Sequence, residues 1–349
     1  MHEGSFENEH HCLIPLPDSE VLHEFPLLKV FKDGRVEKIS WPPVEIPPSD
    51  DPTAGVRSKN VLISNEPEIS VRIFFPKLPD PTQKFSLIVY MHGGRFSMVL
   101  AFTPHYDRHA CRLAAESTSI VVSVEYRLAP EHPIPASYDD SWAVLRWVAP
   151  HSTRDGAEPW LNDHADFDRV FVGGDSAGGN MAHTLAYQVG TIRLPGVKLV
   201  GAFLTHPYFG GVEADDKMWM YMCPTNSGFD DPRMKLPVED LVVIGCKRVL
   251  MFVAGNDHLR EPGRAYYEWL NKSGWKGSVE IVENEGQEHC FHLHDPTNEN
   301  VVALVKKIVD FINQYLLFLF VMKWGVFFFS RVYGMAGREI IILFIHFME

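Results

Sequence analysis

The chain has few cysteines and none of them in a pattern. Its five (Cys12, Cys111, Cys223, Cys246 and Cys290) are odd in number, and no two share C-x-x-C spacing. Neither a disulfide framework nor a zinc site is indicated. Positive charge is also scarce: 32 lysines and arginines stand against 45 acidic residues, for a formal charge of −13. With no basic cluster to offset it, that balance argues against nucleic acid or an anionic membrane as partner. The first residues, Met1-His-Glu-Gly-Ser-Phe-Glu-Asn-Glu-His-His11, have no basic n-region and no apolar h-region. A secretory signal is not expected, and a reducing cytoplasmic setting, with the nucleus open to the same chain, is. Internal repeats are absent. What is abundant is bulk, since 349 residues at 46% hydrophobic content can bury one large core.

Residues 1–23 mix charge with histidine and carry no period, so they read as a disordered extension. His10, His11 and Cys12 belong to that solvated tail rather than to a metal site. From Glu24 the chain turns apolar and then Pro-rich, through Trp41-Pro-Pro-Val-Glu-Ile-Pro-Pro48. So many prolines exclude a helix and suggest an extended segment, either a lid or a packed N-terminal arm. Val61–Ile63 and Ile69–Phe75 read as antiparallel strands. Apolar runs at 85–91, 120–124, 169–173, 200–205, 248–254 and 279–282 then alternate with helical periods at 106–116, 138–148, 181–187, 263–273 and 298–315. Trp142, Leu145 and Trp147/Val148 are assigned to the inner side of the second helix. Alternating strands and helices predict an α/β fold with a mostly parallel central sheet wrapped by helices.

The organising stretch is Arg169-Val-Phe-Val-Gly-Gly-Asp-Ser-Ala-Gly-Gly-Asn180. A buried strand, the sharp turn Gly174-Asp-Ser-Ala-Gly178 and a departing helix make a G-x-S-x-G nucleophile elbow. Small residues two before and two after Ser176 avoid a clash in the tight turn. The Ala177 N–H comes to the helix N-terminus, where the dipole favours an anion. A serine needs a base within hydrogen-bond reach and a third group to orient that base. In this arrangement the order is serine, acid, histidine. Asp257 follows a late strand and fits the acid. Asn256 lacks charge, and Asp175 adjoins the nucleophile too closely to reach the far side of an imidazole. The loop Glu283–His294 supplies the histidine, where His289, His292 and His294 compete. His92-Gly93-Gly94-Arg95-Phe96, directly after a buried strand, is an HGG-type loop. Gly93 and Gly94, with Ala177, are its expected oxyanion donors.

Taken together, these residues resemble the plant carboxylesterases of the hormone-sensitive-lipase-like group of α/β-hydrolases. That group also holds 2-hydroxyisoflavanone dehydratases and gibberellin receptors. The matching stretches are Glu24-Phe-Pro, Lys32-Asp-Gly-Arg-Val36, His92-Gly-Gly, Glu125-Tyr-Arg-Leu-Ala-Pro-Glu-His-Pro133, Gly174-Asp-Ser-Ala-Gly-Gly-Asn180, His206-Pro-Tyr-Phe-Gly-Gly211, Ser227-Gly-Phe-Asp-Asp-Pro-Arg233 and Glu288-His-Cys-Phe-His292. They span residues 24–315. The resemblance implies an α/β-hydrolase domain over 24–315 whose N-terminal arm covers the pocket, and His289 as the base. It also implies hydrolysis of short-chain acyl esters, with a small-molecule ester as partner and neither cofactor nor metal. The receptors of the group lack the triad histidine, and the dehydratases tend to carry threonine for the nucleophile. Ser176 and His289 therefore favour the esterase over either alternative. Arg95, Phe96 and Asp175 are the candidate pocket residues. Arg95 stands where related sequences have a third glycine, and would narrow the acyl pocket, meet an acidic substrate or turn to solvent. Oligomeric state stays open.

The last 34 residues are odd. Leu316-Leu-Phe-Leu-Phe-Val-Met-Lys-Trp-Gly-Val-Phe-Phe-Phe329 and Ile340-Ile-Ile-Leu-Phe-Ile345 are very apolar. A bilayer span needs about 20 such residues. Lys323 interrupts the first run and the second is short. Residues 316–349 are therefore read as a hydrophobic tail outside the domain, with membrane association only if that tail is made.

Overall fold

The structure is a computed structural model that describes residues 20–38, 44–50, 55–77, 80–324, 327–333 and 339–345, with side chains through residue 314. Most of the expected disordered extension, residues 1–19, lies outside the described residues. Strands β1 (Val21–Phe25), β2 (Leu28–Phe31) and β3 (Val36–Lys38) form a small antiparallel sheet. The central sheet comprises β4 (Val56–Asn65), β5 (Glu68–Pro76), β6 (Phe85–Met91), β7 (Ser119–Glu125), β8 (Ala165–Asp175), β9 (Leu199–Thr205), β10 (Arg248–Ala254) and β11 (Ser278–Asn284). Their spatial order is β11-β10-β9-β8-β6-β7-β5-β4. Only the β4–β5 and β5–β7 pairings are antiparallel. The helices are α1 (Pro104–Ser117), α2 (Ala136–Val148), α3 (Pro159–His164), α4 (Ala177–Ile192), α5 (Glu213–Met222), α6 (Arg260–Lys272) and α7 (Glu299–Trp324), followed by the hairpin β12 (Phe327–Tyr333) and β13 (Glu339–Ile345).

Alternation along the parallel strands feeds two cores. Leu87, Val89 and Met91 of β6 face the layer of α2 and α4, while Ile88 and Tyr90 face α1 and α7. Both faces are covered, which is why β6 is apolar but for the buried Ser86. Every parallel strand of the interior then delivers its C-terminal end to the same edge, where the loops carrying chemistry gather.

Three expectations need correction. Residues 21–23 belong to β1 rather than to a disordered extension; His23 and Phe25 pack on Tyr221 of α5 at ring-centroid distances of 5.1 and 5.3 Å. On α2 the buried face is Tyr138, Ser141, Val144, Leu145 and Val148, while Trp142 and Trp147 are only partly buried. Polar residues turn inward there because they are bonded: Asp140 takes the Arg127 amide and guanidinium, and Ser141 Oγ donates to the Ser137 carbonyl. The last helix runs past Tyr315 to Trp324. No proline or glycine interrupts the run before Gly325, and leucine and methionine favour helix. Among the described residues no helix is long and apolar enough to cross a membrane.

Candidate active site

Ser176 joins β8 to α4 with φ 53° and ψ −117°, a backbone that side chains rarely adopt. Packing enforces it. A Cβ on Gly174 would meet the Gly178 carbonyl oxygen at 2.4 Å, and one on Gly178 would meet the Met91 carbonyl oxygen at 2.1 Å. The end of β9 pins the turn. The Ser176 N–H donates to the Thr205 carbonyl at 2.9 Å, and the Ser176 carbonyl accepts from Tyr208 N–H at 3.0 Å.

Asp257 lies just beyond β10, and His289 just beyond β11 after the turn at Gly286. Adjacent parallel strands thus bring together residues 32 apart: His289 Nδ1 stands 2.7 Å from Asp257 Oδ2. The other carboxylate oxygen accepts the Leu259 amide at 2.9 Å. Burial pushes Asp257 up, but the His289 bond and charge and the Leu259 amide outweigh it, holding the group below the usual carboxylate range. Asp257 is therefore ionised at neutral pH. Asn256 instead tethers the histidine loop, its N–H donating to the Gln287 carbonyl at 2.9 Å. His292 is buried with neither ring nitrogen bonded among the described residues, and His294 is exposed. Ser176 lines the same cleft as His289, with no hydrogen bond between the two side chains. Such bonds are commonly long in a free site and tighten once substrate is bound.

The loop after β6 gives a correction. Gly93 N–H is already committed, donating to Tyr106 Oη at 2.9 Å, so it is not open to an oxyanion. The loop carbonyls are held too: Tyr126 Oη donates to the His92 carbonyl at 2.9 Å and His92 Nδ1 lies 2.8 Å from the Gly93 carbonyl. Burial lowers His92 to about 4, so its ring is neutral and stacks on Tyr126 at 4.1 Å. The amides of Gly94 and Arg95 have no hydrogen-bond partner among the described residues. Ala177 N–H opens α4, where the first amides have no intrahelical acceptor.

The cleft encloses about 360 Å³, including its mouth. Phe96, Tyr208, Met218, Trp219, Met222 and Leu259 give it apolar walls; Arg95, Asp215 and His258 form a polar strip. Arg95 neither turns to solvent nor waits for an acidic substrate. Its guanidinium is paired with Asp215, whose other oxygen lies 2.9 Å from His258 Nε2. Asp175 is absent from the lining and fully buried, a correction to its assignment as a pocket residue. Nor does a described residue of 20–50 line the cleft; the arm backs α5, which forms the wall. Sequence reasoning missed α5, whose signal was the spacing of Met218, Trp219 and Met222, and missed Asp215 and Tyr106, which had none.

Among the described residues, His206, Cys290 and His292 place donor atoms within 4.8 Å of one another, as do His206, Asp257 and His289. His206 Nδ1 accepts the Cys290 N–H at 3.0 Å, and burial lowers that ring to about 3. The neutral ring then carries its proton on Nε2, which leaves no lone pair there for a metal.

A family model described as the alpha/beta hydrolase fold matches residues 88–293. The chain is 41% identical over 309 residues to 2-hydroxyisoflavanone dehydratase of Glycyrrhiza echinata, covering 82% of this chain and 94% of that protein. It is 41% identical over 315 residues to probable carboxylesterase 1 of Arabidopsis thaliana, covering 85% and 99%. Among solved structures, an esterase of Pyrobaculum calidifontis aligns with a TM-score of 0.62 at 26% identity, covering 74% of this chain and 85% of that one. The chain belongs to the α/β-hydrolase family.

Proposed function

We propose that this chain is a serine carboxylesterase acting on short-chain acyl esters. Ser176 Oγ attacks the acyl carbon while His289 Nε2 takes its proton. Asp257 holds the imidazole through Nδ1 and stabilises the imidazolium that forms. The carbonyl oxygen, now negative, is met by the amides of Ala177, Gly94 and Arg95, the last in place of Gly93. Collapse breaks the ester C–O bond, and His289 returns the proton to the departing alkoxide. Water repeats the sequence on the acyl-enzyme and frees Ser176. One observation carries this reading: a 2.7 Å contact between an ionised aspartate and an imidazole, at the wall of a cleft that also presents the elbow serine. A catalytic domain over residues 24–315 and a reducing cytoplasmic setting, which the scattered thiols fit, are proposed with it.

The test is hydrolysis of p-nitrophenyl acyl esters of increasing chain length by wild type and Ser176→Ala. Wild type should turn over the short members. Loss of the nucleophile should lower kcat by about 10⁴-fold or more. A serine variant as active as wild type would sink the assignment.

A further inference from the structure

Asp175 precedes the nucleophile and has no exposed surface. A buried carboxylate is costly unless its oxygens are bonded, so its partners are informative. Tyr90 Oη donates to Oδ1 at 2.7 Å. Tyr106 Oη donates to Oδ2 at 2.8 Å, and Cys290 Sγ to the same oxygen at 3.4 Å. Those donors come from β6, from α1 and from the loop of His289. Substrate in the cleft would not touch Asp175, which is not part of its lining.

The Tyr106 branch differs from the Tyr90 branch. A phenol has one proton to give, and Tyr106 gives it to Asp175; its lone pairs then take the Gly93 N–H at 2.9 Å. The fit is close, because a Cβ on Gly93 would lie 2.6 Å from Asp175 Oδ2 and 2.9 Å from Tyr106 Oη. At the other end of that peptide plane the His92 carbonyl is held by Tyr126. The next carbonyl, that of Gly93, is held by His92 Nδ1 at 2.8 Å. In a trans peptide the N–H points opposite to the C=O, so fixing the Gly93 carbonyl also fixes the direction of Gly94 N–H.

We propose that Asp175 is a positioning residue: acting through the Tyr106 hydroxyl, it fixes the loop 92–95 against the elbow and so sets where the oxyanion amides stand relative to Ser176. The proposal rests on the esterase reading. Loosening the link should cost interactions made in the transition state and spare those made with bound substrate.

Tyr106→Phe removes the hydroxyl and keeps the ring; Tyr90→Phe removes the matching bond on the other oxygen, which does not reach Gly93. For each full-length variant, kcat and KM on p-nitrophenyl butyrate, Ki of a trifluoromethyl ketone transition-state analogue, and Tm are measured. Tyr106→Phe should lower kcat and analogue affinity by about 10–100-fold each, with KM within about twofold. Tyr90→Phe should lower Tm but leave kcat and Ki within about threefold of wild type. Equal kinetic losses in the two variants would reduce Asp175 to a structural role and overturn the proposal. So would unchanged analogue affinity in Tyr106→Phe. Asp175→Asn, where it folds, should show the Tyr106→Phe signature, and the double variant should be no worse than Asp175→Asn alone. Additive losses would overturn the shared path. A wild type without ester turnover would overturn the esterase reading and this inference with it, whereas an active wild type with an unaffected Tyr106→Phe overturns this inference alone.

Discussion

Gly178→Ala tests how tightly the elbow is built. The added methyl would lie 2.1 Å from the Met91 carbonyl oxygen and 2.6 Å from that of His92. Both are backbone atoms, so no rotamer change relieves the contact. The nearer pair must open by about 0.9 Å merely to reach 3.0 Å, the edge of what real Cβ atoms show. One side of that contact is the first turn of α4, which carries Ser176; the other is the end of β6, which carries the oxyanion loop. Separation therefore acts on the distance the chemistry depends on. A reacting group misplaced by about 1 Å costs about 100-fold in rate. Overpacking of this kind costs about 1–3 kcal/mol, which a domain with 5–15 kcal/mol in hand survives, roughly. Gly179→Ala is the matched control: its methyl meets Pro207 Cβ at 3.0 Å and Cα at 3.1 Å, a strain that a few tenths of an ångström absorb. The assay is kcat/KM on p-nitrophenyl acetate, with Tm by fluorescence. Gly178→Ala should lose about 100-fold while remaining folded, and Gly179→Ala less than about tenfold. A folded Gly178→Ala within threefold of wild type would refute the reasoning, as would equal damage from the two alanines.

Arg95→Gly removes the guanidinium paired with Asp215 on the cleft wall. The preferred acyl length in a p-nitrophenyl ester series should shift upward, and an unmoved limit would show that Arg95 does not set it. Glu125, whose carboxylate accepts the Ala101 amide at 2.6 Å, is pushed up to about 8, burial prevailing over the pull of that amide. The folded chain thus keeps a proton that the unfolded chain releases above its ordinary 4.5, so stability should fall as pH rises from there to about 8. Glu125→Gln should raise Tm at pH 8.5 and leave it little changed at pH 4.5; a uniform shift at both would reject this origin. A chain ending at Tyr315 keeps every buried contact described for α7, the last being Ile312. Its Tm and kcat/KM should match wild type, and inactivity or insolubility of the shorter chain alone would show that the tail belongs to the domain.

Legibility followed how local each determinant is. Strand β6 could be read at once, because burial on both faces leaves five apolar residues in a row, Leu87 to Met91, with Phe85 and a lone Ser86 before them. The elbow was equally plain, since steric need for glycine two before and two after the serine is written in adjacent positions. Strands β1 to β3 are three to five residues long, too short for a period to show, so by pattern alone His23 reads as part of a disordered tail. Helix α5 opens on Glu-Ala-Asp-Asp-Lys and keeps its apolar residues for the second half, so it does not announce a helix. Size does not decide burial at Trp142 and Trp147, which are only partly buried. Inward positions of α2 go instead to Ser141 and Asp140, whose burial is tolerated because the Ser137 carbonyl and Arg127 satisfy them.

At the site the limit is sharper, because sequence lists donors without saying which are already spent. Gly93 and Gly94 are indistinguishable as letters. What separates them is a hydroxyl 13 residues away on α1, which consumes one amide and leaves the other. The same holds for Arg95, an exposed or substrate-seeking charge on paper, until Asp215 arrives from 120 residues away to neutralise it. Asp175 is the reverse case: its position beside the nucleophile suggested contact with substrate, yet three donors from separate elements draw the carboxylate inward. Residues whose role is set by backbone shape or chain order, such as Ser176 and Asp257, can therefore be nominated from the sequence. Residues whose role depends on which partner reaches them first become assignable only when helix α1, the elbow and the oxyanion loop are seen packed together.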